Sequence, residues 1–250
     1  MDLYLKHKTA VVTGASQGIG REIVKQLALE GVRVFATARN ESRLESLRQD
    51  VVAIGGVEPL IFVQDLLAPD AAKNVSTAAL QALGNIDILI NNAGQSQPVN
   101  ITGDEDPWLQ SMTLDFERPR QLTQQLLPHL IERKQGSILN LASTYELRSI
   151  NVSAVAKAAL VAWSKQLASQ VGKYKINVNC LQPGLIDTEN IRPYFQGDAR
   201  QEFSEAEIPM GDFGEPKDIA SMAAFLVSPR AAYITGTVAV VDGGLRRYAF

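Results

Sequence analysis

Short apolar runs alternate with longer amphipathic stretches along the chain. The apolar runs are bounded by turn residues, as buried parallel strands are, and they cover residues 8–13, 32–37, 86–90 and 138–141. Apolar positions at helical spacing occupy residues 106–133 and 151–171. This alternation predicts an α/β fold with helices on both faces of a doubly wound parallel sheet, and residues 1–250 are expected to form a single domain.

The first apolar run leads into a glycine-rich turn and then an amphipathic run that ends near Glu30. The turn has the sequence Gly14-Ala15-Ser16-Gln17-Gly18-Ile19-Gly20. Glycine lets the backbone approach a phosphate closely, and the N–H groups at the start of a helix attract an anion. A strand, a glycine turn and a helix therefore predict a dinucleotide site of the Rossmann type, with a tight turn that binds no ligand as the alternative.

The second apolar run ends in Ala38-Arg39. In dinucleotide-binding folds this strand end faces the adenine ribose, where an acidic residue accepts from a 2′-hydroxyl and a basic residue accommodates a 2′-phosphate. Arg39 favours NADP(H), and Ser16 adds a hydroxyl donor to the same phosphate. The alternative is that Arg39 ends a strand in solvent and contacts no ligand.

Composition narrows the class of protein. The chain has 250 residues, 46% of them hydrophobic, and a net charge of −3, which gives no signal for binding nucleic acid. No apolar run approaches the roughly 20 residues of a membrane helix. Cys180 is the single cysteine, and the sequence contains no cluster of metal ligands. We expect a cytoplasmic protein without a metal, a membrane partner or a nucleic-acid partner, acting on a small-molecule substrate.

Further motifs follow later strands. They are Asp65-Leu66, Asn91-Asn92-Ala93-Gly94, Pro183-Gly184 and Val241-Asp242-Gly243-Gly244. With the glycine turn they make the chain similar to the short-chain dehydrogenase/reductase family over nearly its whole length. The resemblance implies cofactor-binding roles: Asp65 and Leu66 flank the adenine, and the loop from Asn91 to Gly94 packs beneath the cofactor. Ile186 and Thr188 follow Pro183-Gly184 to the nicotinamide amide, and Lys157 also holds the nicotinamide ribose.

The same resemblance implies a site that departs from the family pattern. Members use a serine, a tyrosine, a lysine and an asparagine. Ser143 and Lys157 match the serine and the lysine, whereas Ser153 stands at the tyrosine position, four residues before Lys157, and Asp115 stands at the asparagine position. An aliphatic hydroxyl is a far weaker acid than a phenol, which titrates near 10. The proton donor is therefore expected to be atypical.

Three functional interpretations remain open. In the first, the chain is an NADP(H)-dependent oxidoreductase acting on a carbonyl or alcohol. Its proton then comes from Tyr145, from a water between Ser153 and Lys157, or from Lys157 itself, and the alternative for Tyr145 is a place in the pocket wall.

In the second interpretation, a lyase, isomerase or dehydratase works without net hydride transfer and uses Asp115 and Lys157 as an acid–base pair. The alternative is an aspartate on a solvated helix edge. In the third, the chain is a non-catalytic NADP(H)-binding module.

Two regions concern the substrate and assembly. Residues 188–214 correspond to the family's substrate lid. Its aromatic and arginine side chains permit an aromatic, acyl or carboxylate-bearing substrate. The alternative is that these side chains form an ordinary cover over the core. Leu160, Trp163 and Leu167 recur at helical spacing, as an exposed stripe or as part of the core. Because the family's long helices and carboxyl-terminal end build its interfaces, we expect a homotetramer, or else a homodimer.

Overall fold

A parallel β-sheet forms the centre of the chain in the computed structural model, which describes residues 1–143 and 149–247. Within these residues the strands are β1 (Thr9–Thr13), β2 (Arg33–Ala38), β3 (Leu60–Val63), β4 (Ile88–Asn91), β5 (Gly136–Leu141), β6 (Ile176–Pro183) and β7 (Val238–Val241). Their spatial order is 3-2-1-4-5-6-7, and every pair is parallel. The order reverses between β1 and β4, the switch point at which α/β folds bind ligands. The predicted Rossmann-type doubly wound fold is confirmed.

Helices cover both faces of the sheet. They are α1 (Gly18–Leu29), α2 (Glu41–Ala53), α3 (Ala71–Leu83), α4 (Asp106–Ser111), α5 (Arg118–Arg133), α6 (Val152–Val171), α7 (Asp198–Glu207) and α8 (Pro216–Leu226). Apolar residues of α1, α2 and α8 form the core on one face, and those of α3, α5 and α6 form the core on the other. No helix among the described residues has both the length and the apolar character needed to cross a bilayer.

The fourth strand begins later than the apolar run suggested. Asp87 lies just before β4, and its buried carboxylate accepts hydrogen bonds from Thr9 N (3.0 Å) and Thr9 Oγ1 (3.1 Å). Arg133 Nη2 also donates to this carboxylate, at 2.9 Å. The side chain of Asp87 therefore joins the start of β1 and the end of α5 to β4.

The long helix expected over residues 106–133 is interrupted in its middle. Residues Met112–Glu117 form a π-helical segment between α4 and α5. Pro119 explains why the π-helical segment forms at this point of the helix. A proline has no N–H to donate to the carbonyl four residues earlier, and its ring crowds that carbonyl. That carbonyl belongs to Asp115. The wider turn forms where regular α-helical bonding fails, and π-helical turns of this kind are frequent at functional sites.

Helix α6 begins at an asparagine cap. Asn151 Oδ1 accepts a hydrogen bond from Ala154 N at 3.2 Å, as expected for an N-cap. The apolar stripe on this helix is not uniformly exposed: Leu160 is only 1% exposed, while Trp163 and Leu167 are half-buried. Leu160 therefore belongs to the interior, because the face of α6 that carries it packs against the sheet.

Leu126 of α5 and Leu29 of α1 form a matched pair for testing this core. Leu126 is fully buried, whereas Leu29 is half exposed. We expect Leu126→Ala to lower the free energy of unfolding by about 2–5 kcal/mol, because it removes buried apolar atoms and leaves a cavity. Leu29→Ala should change it by about 0.5 kcal/mol or less. Urea denaturation followed by circular dichroism measures the free energy of unfolding of both variants. Equal losses would contradict the assignment of Leu126 to the core and of Leu29 to the surface.

Candidate active-site cleft

A cleft of about 900 Å³ opens at the carboxyl ends of the strands, across the switch point. This volume lies within the range of small-molecule and cofactor sites. Most of the predicted site residues line it: Gly14, Ser16, Gly18, Ile19, Gly20, Arg39, Asp65, Leu66, Asn92, Ala93, Gly94, Ser143, Ser153, Lys157, Pro183, Gly184, Ile186 and Thr188. Asn91 and Asp115 lie behind the wall, and Tyr145 lies outside the described residues.

The glycine turn is held against the loop that follows β4. Asn92 Nδ2 donates to the carbonyl oxygens of Thr13 (3.0 Å) and Gly14 (3.1 Å), and Ala93 N donates to Thr13 Oγ1 (3.1 Å). Gly14 has φ +64°, and a Cβ there would lie 2.7 Å from Ala93 Cα. Gln17 does not cap α1 through its side chain, and the first residues of the helix, Gly18, Ile19 and Gly20, line the cleft. This end of the cleft is an anion cradle.

Two exposed arginines form the rim next to this cradle. Arg39 follows β2 as expected, and Arg43 lies in the first turn of α2; both line the cleft. Asn40, between them, caps α2 by accepting from Arg43 N at 2.9 Å. Arg43 was not among the predicted site residues. Its spacing of four residues from Arg39, beside an Asn cap, was the signal that could have placed both arginines at the same end of the cleft.

The wall after β3 is held by a buried arginine that was not among the predicted site residues. Arg118 is 8% exposed and donates to the carbonyl oxygens of Leu66 (2.5 Å), Leu67 (3.3 Å) and Ala68 (2.9 Å). Among the described residues, its guanidinium forms no ion pair. Carbonyl dipoles therefore compensate the burial of this charge, and the loop that carries Asp65 is tied to α5.

Asn91 has a structural position rather than one on the cleft surface. Its Nδ2 donates to Asn140 Oδ1 of β5 at 2.8 Å, and Asn140 Nδ2 donates to Ser164 Oγ of α6 at 2.8 Å. Ser164 Oγ donates in turn to Leu160 O at 2.7 Å. This buried network joins β4, β5 and α6 beneath the cleft.

Lys157, Ser153 and Ser143 meet at the other end of the cleft. Lys157 and Ser153 lie one turn apart on α6 and are both buried, and Lys157 Nζ donates to Leu141 O at the end of β5 at 2.8 Å. Asn151 orients the start of α6 because its Nδ2 donates to Ser96 Oγ at 2.9 Å. The end of β5, the start of α6 and the loop after β4 therefore converge on one point.

Asp115 faces Lys157 from behind this point. It is 1% exposed, and its Oδ1 lies 3.8 Å from Lys157 Nζ. The alternative of a solvated helix edge is therefore wrong, because the π-helical segment turns Asp115 inward. Burial raises the pKa of Asp115; Lys157, the Ser153 hydroxyl and Gln95 N–H offset part of that rise. Neither oxygen has a partner at full hydrogen-bonding geometry among the described residues.

Comparison with known proteins identifies the family. A family model described as enoyl-(acyl carrier protein) reductase matches residues 14–246. The chain belongs to the short-chain dehydrogenase/reductase family. The 3-oxoacyl-[acyl-carrier-protein] reductase FabG of Vibrio cholerae serotype O1 is 33% identical over 246 residues, which cover 96% of this chain and 98% of the relative.

Solved structures of similar proteins share the whole fold. L-sorbose reductase from Gluconobacter frateurii, complexed with NADPH and L-sorbose, has a TM-score of 0.94 and 32% identity, covering 99% of this chain and 100% of that chain. A 7α-hydroxysteroid dehydrogenase complexed with NADH and 7-oxo glycochenodeoxycholic acid has a TM-score of 0.91 and 28% identity, covering 97% and 96%. These relatives are oxidoreductases, and the expected enzyme class is confirmed.

The nicotinamide cofactor of short-chain dehydrogenases/reductases fits the residues present. The cradle at the start of α1 offers N–H groups to phosphates, and the rim offers two guanidinium groups. Nothing larger than hydrogen is tolerated at Gly14, because Ala93 lies against it. The chemistry of this end of the cleft therefore matches a dinucleotide.

The two arginines and three phenylalanines of the lid region contact side chains within the segment or just before it. Asp187 accepts from Arg192 Nε (2.8 Å) and pairs with Arg200 (3.1 Å), and the Arg192 hydrogen bond is the main cause of the lowered pKa of Asp187. Phe195 and Phe203 stack edge-on with Phe213. The arrangement favours the interpretation of these side chains as a cover.

Other lid residues reach the cleft. Thr188, Glu189, Asn190, Ile191 and Tyr194 line it, and Gln17 Nε2 donates to Asn190 Oδ1 at 2.9 Å. This hydrogen bond joins the lid to the glycine turn.

Arg118 provides a test of how the loop after β3 is held. We expect Arg118→Met to raise the Kd of the nicotinamide cofactor about tenfold or more, because hydrogen bonds to a charged group contribute about 1.5–3 kcal/mol. Arg120→Met is the control, since Arg120 lies on the same helix and pairs with Glu117 at the surface. Fluorescence titration measures Kd and thermal denaturation measures folding; equal Kd values for the two variants would contradict this role.

Proposed function

We propose that this chain is an NADP(H)-dependent oxidoreductase of a carbonyl or alcohol substrate, with an atypical proton donor. Ser153 takes the place of the family tyrosine and Asp115 that of the asparagine. The observation that carries the proposal is a single continuous cleft, which joins the arginine rim at one end to Ser143, Ser153 and Lys157 at the other.

The preference for NADP(H) rests on charge at the rim. Arg39 and Arg43 lie where a 2′-phosphate is recognised, and Ser16 lines the same part of the cleft. No carboxylate stands at the end of β2 to accept from a 2′-hydroxyl. The NADPH bound to the similar L-sorbose reductase supports this preference.

The remaining cofactor contacts follow from the cleft lining. Asp65 and Leu66 flank the adenine, Asn92, Ala93 and Gly94 support the middle, and Ile186 and Thr188 hold the nicotinamide amide. When bound, the nicotinamide supplies a hydride to a carbonyl carbon or takes one from an alcohol carbon.

The substrate oxygen lies near Ser143 and Ser153 in this proposal. Ser143 Oγ polarises the oxygen by donating a hydrogen bond, and the Ser153 hydroxyl orients it. Serine alone does not replace a phenol as an acid, because an aliphatic hydroxyl holds its proton too tightly. The proton therefore comes from Tyr145, from a water between Ser153 and Lys157, or from Lys157 Nζ.

A ketone is the substrate group that the relatives favour. One is named 3-oxoacyl-[acyl-carrier-protein] reductase, and another is complexed with 7-oxo glycochenodeoxycholic acid, so an oxo group occurs in both descriptions. Tyr194, at the mouth of the cleft, is exposed and available to contact such a substrate.

Titration with NADPH and NADH, followed by incubation with a panel of ketones, tests this function. We expect tighter binding of NADPH and its consumption with at least one ketone. Arg39→Ala should raise the Kd of NADPH by about 10-fold to 100-fold through loss of a charged hydrogen bond, and leave that of NADH within about twofold. Arg48→Ala is the control, because Arg48 lies on α2 and pairs with Glu45. Tight NADPH binding without consumption would contradict the oxidoreductase assignment.

We also propose a homotetramer, with a homodimer as its smaller unit. Leu109 of α4 and Val155 of α6 are 59% and 48% exposed in the single chain, and exposed apolar side chains on neighbouring helices favour association. We expect sedimentation at micromolar concentration to give four times the mass of one chain. Val155→Glu should reduce that mass, whereas Val52→Glu on α2 should not. A wild-type monomer would refute the proposal.

A further inference from the structure

Asp115 is a buried carboxyl group whose two oxygens have no partner of full hydrogen-bonding geometry among the described residues. Its side chain is wholly inaccessible, and Oδ1 points toward Lys157 Nζ, 3.8 Å away. Lys157 itself reaches the cleft surface. A polar group buried with incompletely formed hydrogen bonds costs free energy, so the presence of Asp115 beside the reactive end of the cleft calls for a chemical reason.

The backbone is shaped to hold this carboxyl group in place. Pro119 prevents the α-helical hydrogen bond to Asp115 O, and the π-helical segment projects the side chain toward α6. Gly94 closes the space from the other side, because a Cβ there would collide with Asp115 Oδ1 and lie 3.1 Å from Lys157 Nζ. Two independent elements therefore make room for the pair.

The groups that make up this cluster around Asp115 come from three elements. On α6 they are Lys157 and Ser153; on the loop after β4, Gln95 N–H; on β6, the Cys180 thiol, whose own pKa burial raises. On the same helical path, Arg118 binds backbone carbonyls and Arg120 pairs with Glu117. Among the described residues, Lys157 is thus the charged group that acts on Asp115.

We propose that Asp115 is the proton reservoir of the site and that Lys157 Nζ is the group that delivers the proton to the substrate oxygen. This proposal rests on the proposed oxidoreductase function and deepens it. It selects Lys157 from the three donors that remain open and gives Asp115 a part in hydride chemistry, not in elimination.

The proton balance closes in three steps. As the carbonyl carbon gains its hydride, a Nζ–H bond of the Lys157 ammonium breaks and an O–H bond forms on the substrate, which leaves a neutral amine. The O–H bond of the Asp115 carboxyl then breaks and a Nζ–H bond re-forms, which leaves a carboxylate beside an ammonium. A solvent proton entering through the cleft restores the carboxyl, so one proton is consumed for each carbonyl reduced.

Burial favours the starting state of this cycle, in which the Asp115 carboxyl carries its proton. It raises the pKa of Asp115, and the positive charge of Lys157 offsets that rise only in part. Asp115 therefore keeps its proton at a pH where an exposed aspartate, with a pKa of about 3.9, has lost it.

Infrared spectroscopy of the protein without cofactor tests the reservoir directly. With isotope-labelled aspartate, wild type should show a protonated carboxyl band, at a pH where exposed aspartates have ionised, that disappears in Asp115→Asn. Asp106→Asn is the matched control, since Asp106 is an exposed residue at the start of α4, and this variant should retain the band. Identical spectra for wild type and Asp115→Asn would overturn the proposal.

Stability gives a second readout that does not depend on turnover. A group whose folded pKa lies above its unfolded value binds its proton more tightly in the folded chain. Its stabilising contribution is therefore full below the unfolded pKa and falls as pH rises toward the folded value. The free energy of unfolding of Asp115→Asn, relative to wild type, should increase as pH rises above about 4. A difference that does not change with pH would count against a protonated Asp115.

Kinetics separate this proposal from the proposed function. We expect Asp115→Asn to lower kcat by about 10-fold to 100-fold, toward the lower end of what a positioned proton donor supplies, with the cofactor KM changed by less than about twofold. Wild-type kcat should fall as pH rises through the folded pKa of Asp115, and the variant should lack that limb. If wild type turns over a substrate and Asp115→Asn has the same kcat, only the proposed role of Asp115 is overturned. Absence of turnover in wild type overturns the oxidoreductase function, and the proposed role of Asp115 with it.

Discussion

The hydrogen bonds from the Asn92 amide to the carbonyl oxygens of Thr13 and Gly14 hold the two halves of the cleft in register. One half begins at the glycine turn after β1, and the other begins at the loop after β4. β1 and β4 pair directly and bring both turns to the same edge of the sheet, and the Asn92 cross-link fixes the two turns against each other. The arginine rim is positioned relative to Gly14, and the Lys157 pair is positioned relative to Gly94, so this cross-link sets the span that a bound dinucleotide must cover.

Two buried ionisable side chains, Asp115 and Arg118, lie three residues apart and have different kinds of partners. Arg118 exchanges water for three backbone carbonyl groups and the Gln121 side chain, which together engage all three nitrogens of its guanidinium. Asp115, three residues earlier, has no comparable set of partners and faces a single cation. A satisfied buried charge stabilises one arrangement of the chain, whereas an incompletely satisfied one is poised to change protonation. This contrast is the physical basis for assigning a structural role to the first and a chemical role to the second.

The lid shows why a list of side chains is a poor guide to specificity. Two arginines and two phenylalanines in this region suit an anionic or aromatic substrate when the sequence is considered alone. In the folded chain, Asp187 holds both Arg192 and Arg200, and Phe213 packs with the aromatic rings. These contacts hold the side chains of the lid together and join them to Asp187, the residue just before it. Tyr194 and the segment around Thr188 remain to face the cleft.

The sequence by itself determined the α/β fold, the positions of most strands and the identity of most residues at the cleft. Hydrophobic periodicity and glycine turns are local features, so they survive in the linear order of the chain. Only the tertiary structure decided that Asp115 is buried against Lys157, that Arg118 donates hydrogen bonds to the loop after β3, and that Leu160 belongs to the core. These facts depend on a π-helical turn imposed by Pro119 and on contacts between elements far apart in the chain. Local patterns do not contain that information, because the free energy of a buried charge depends on which distant groups fold against it.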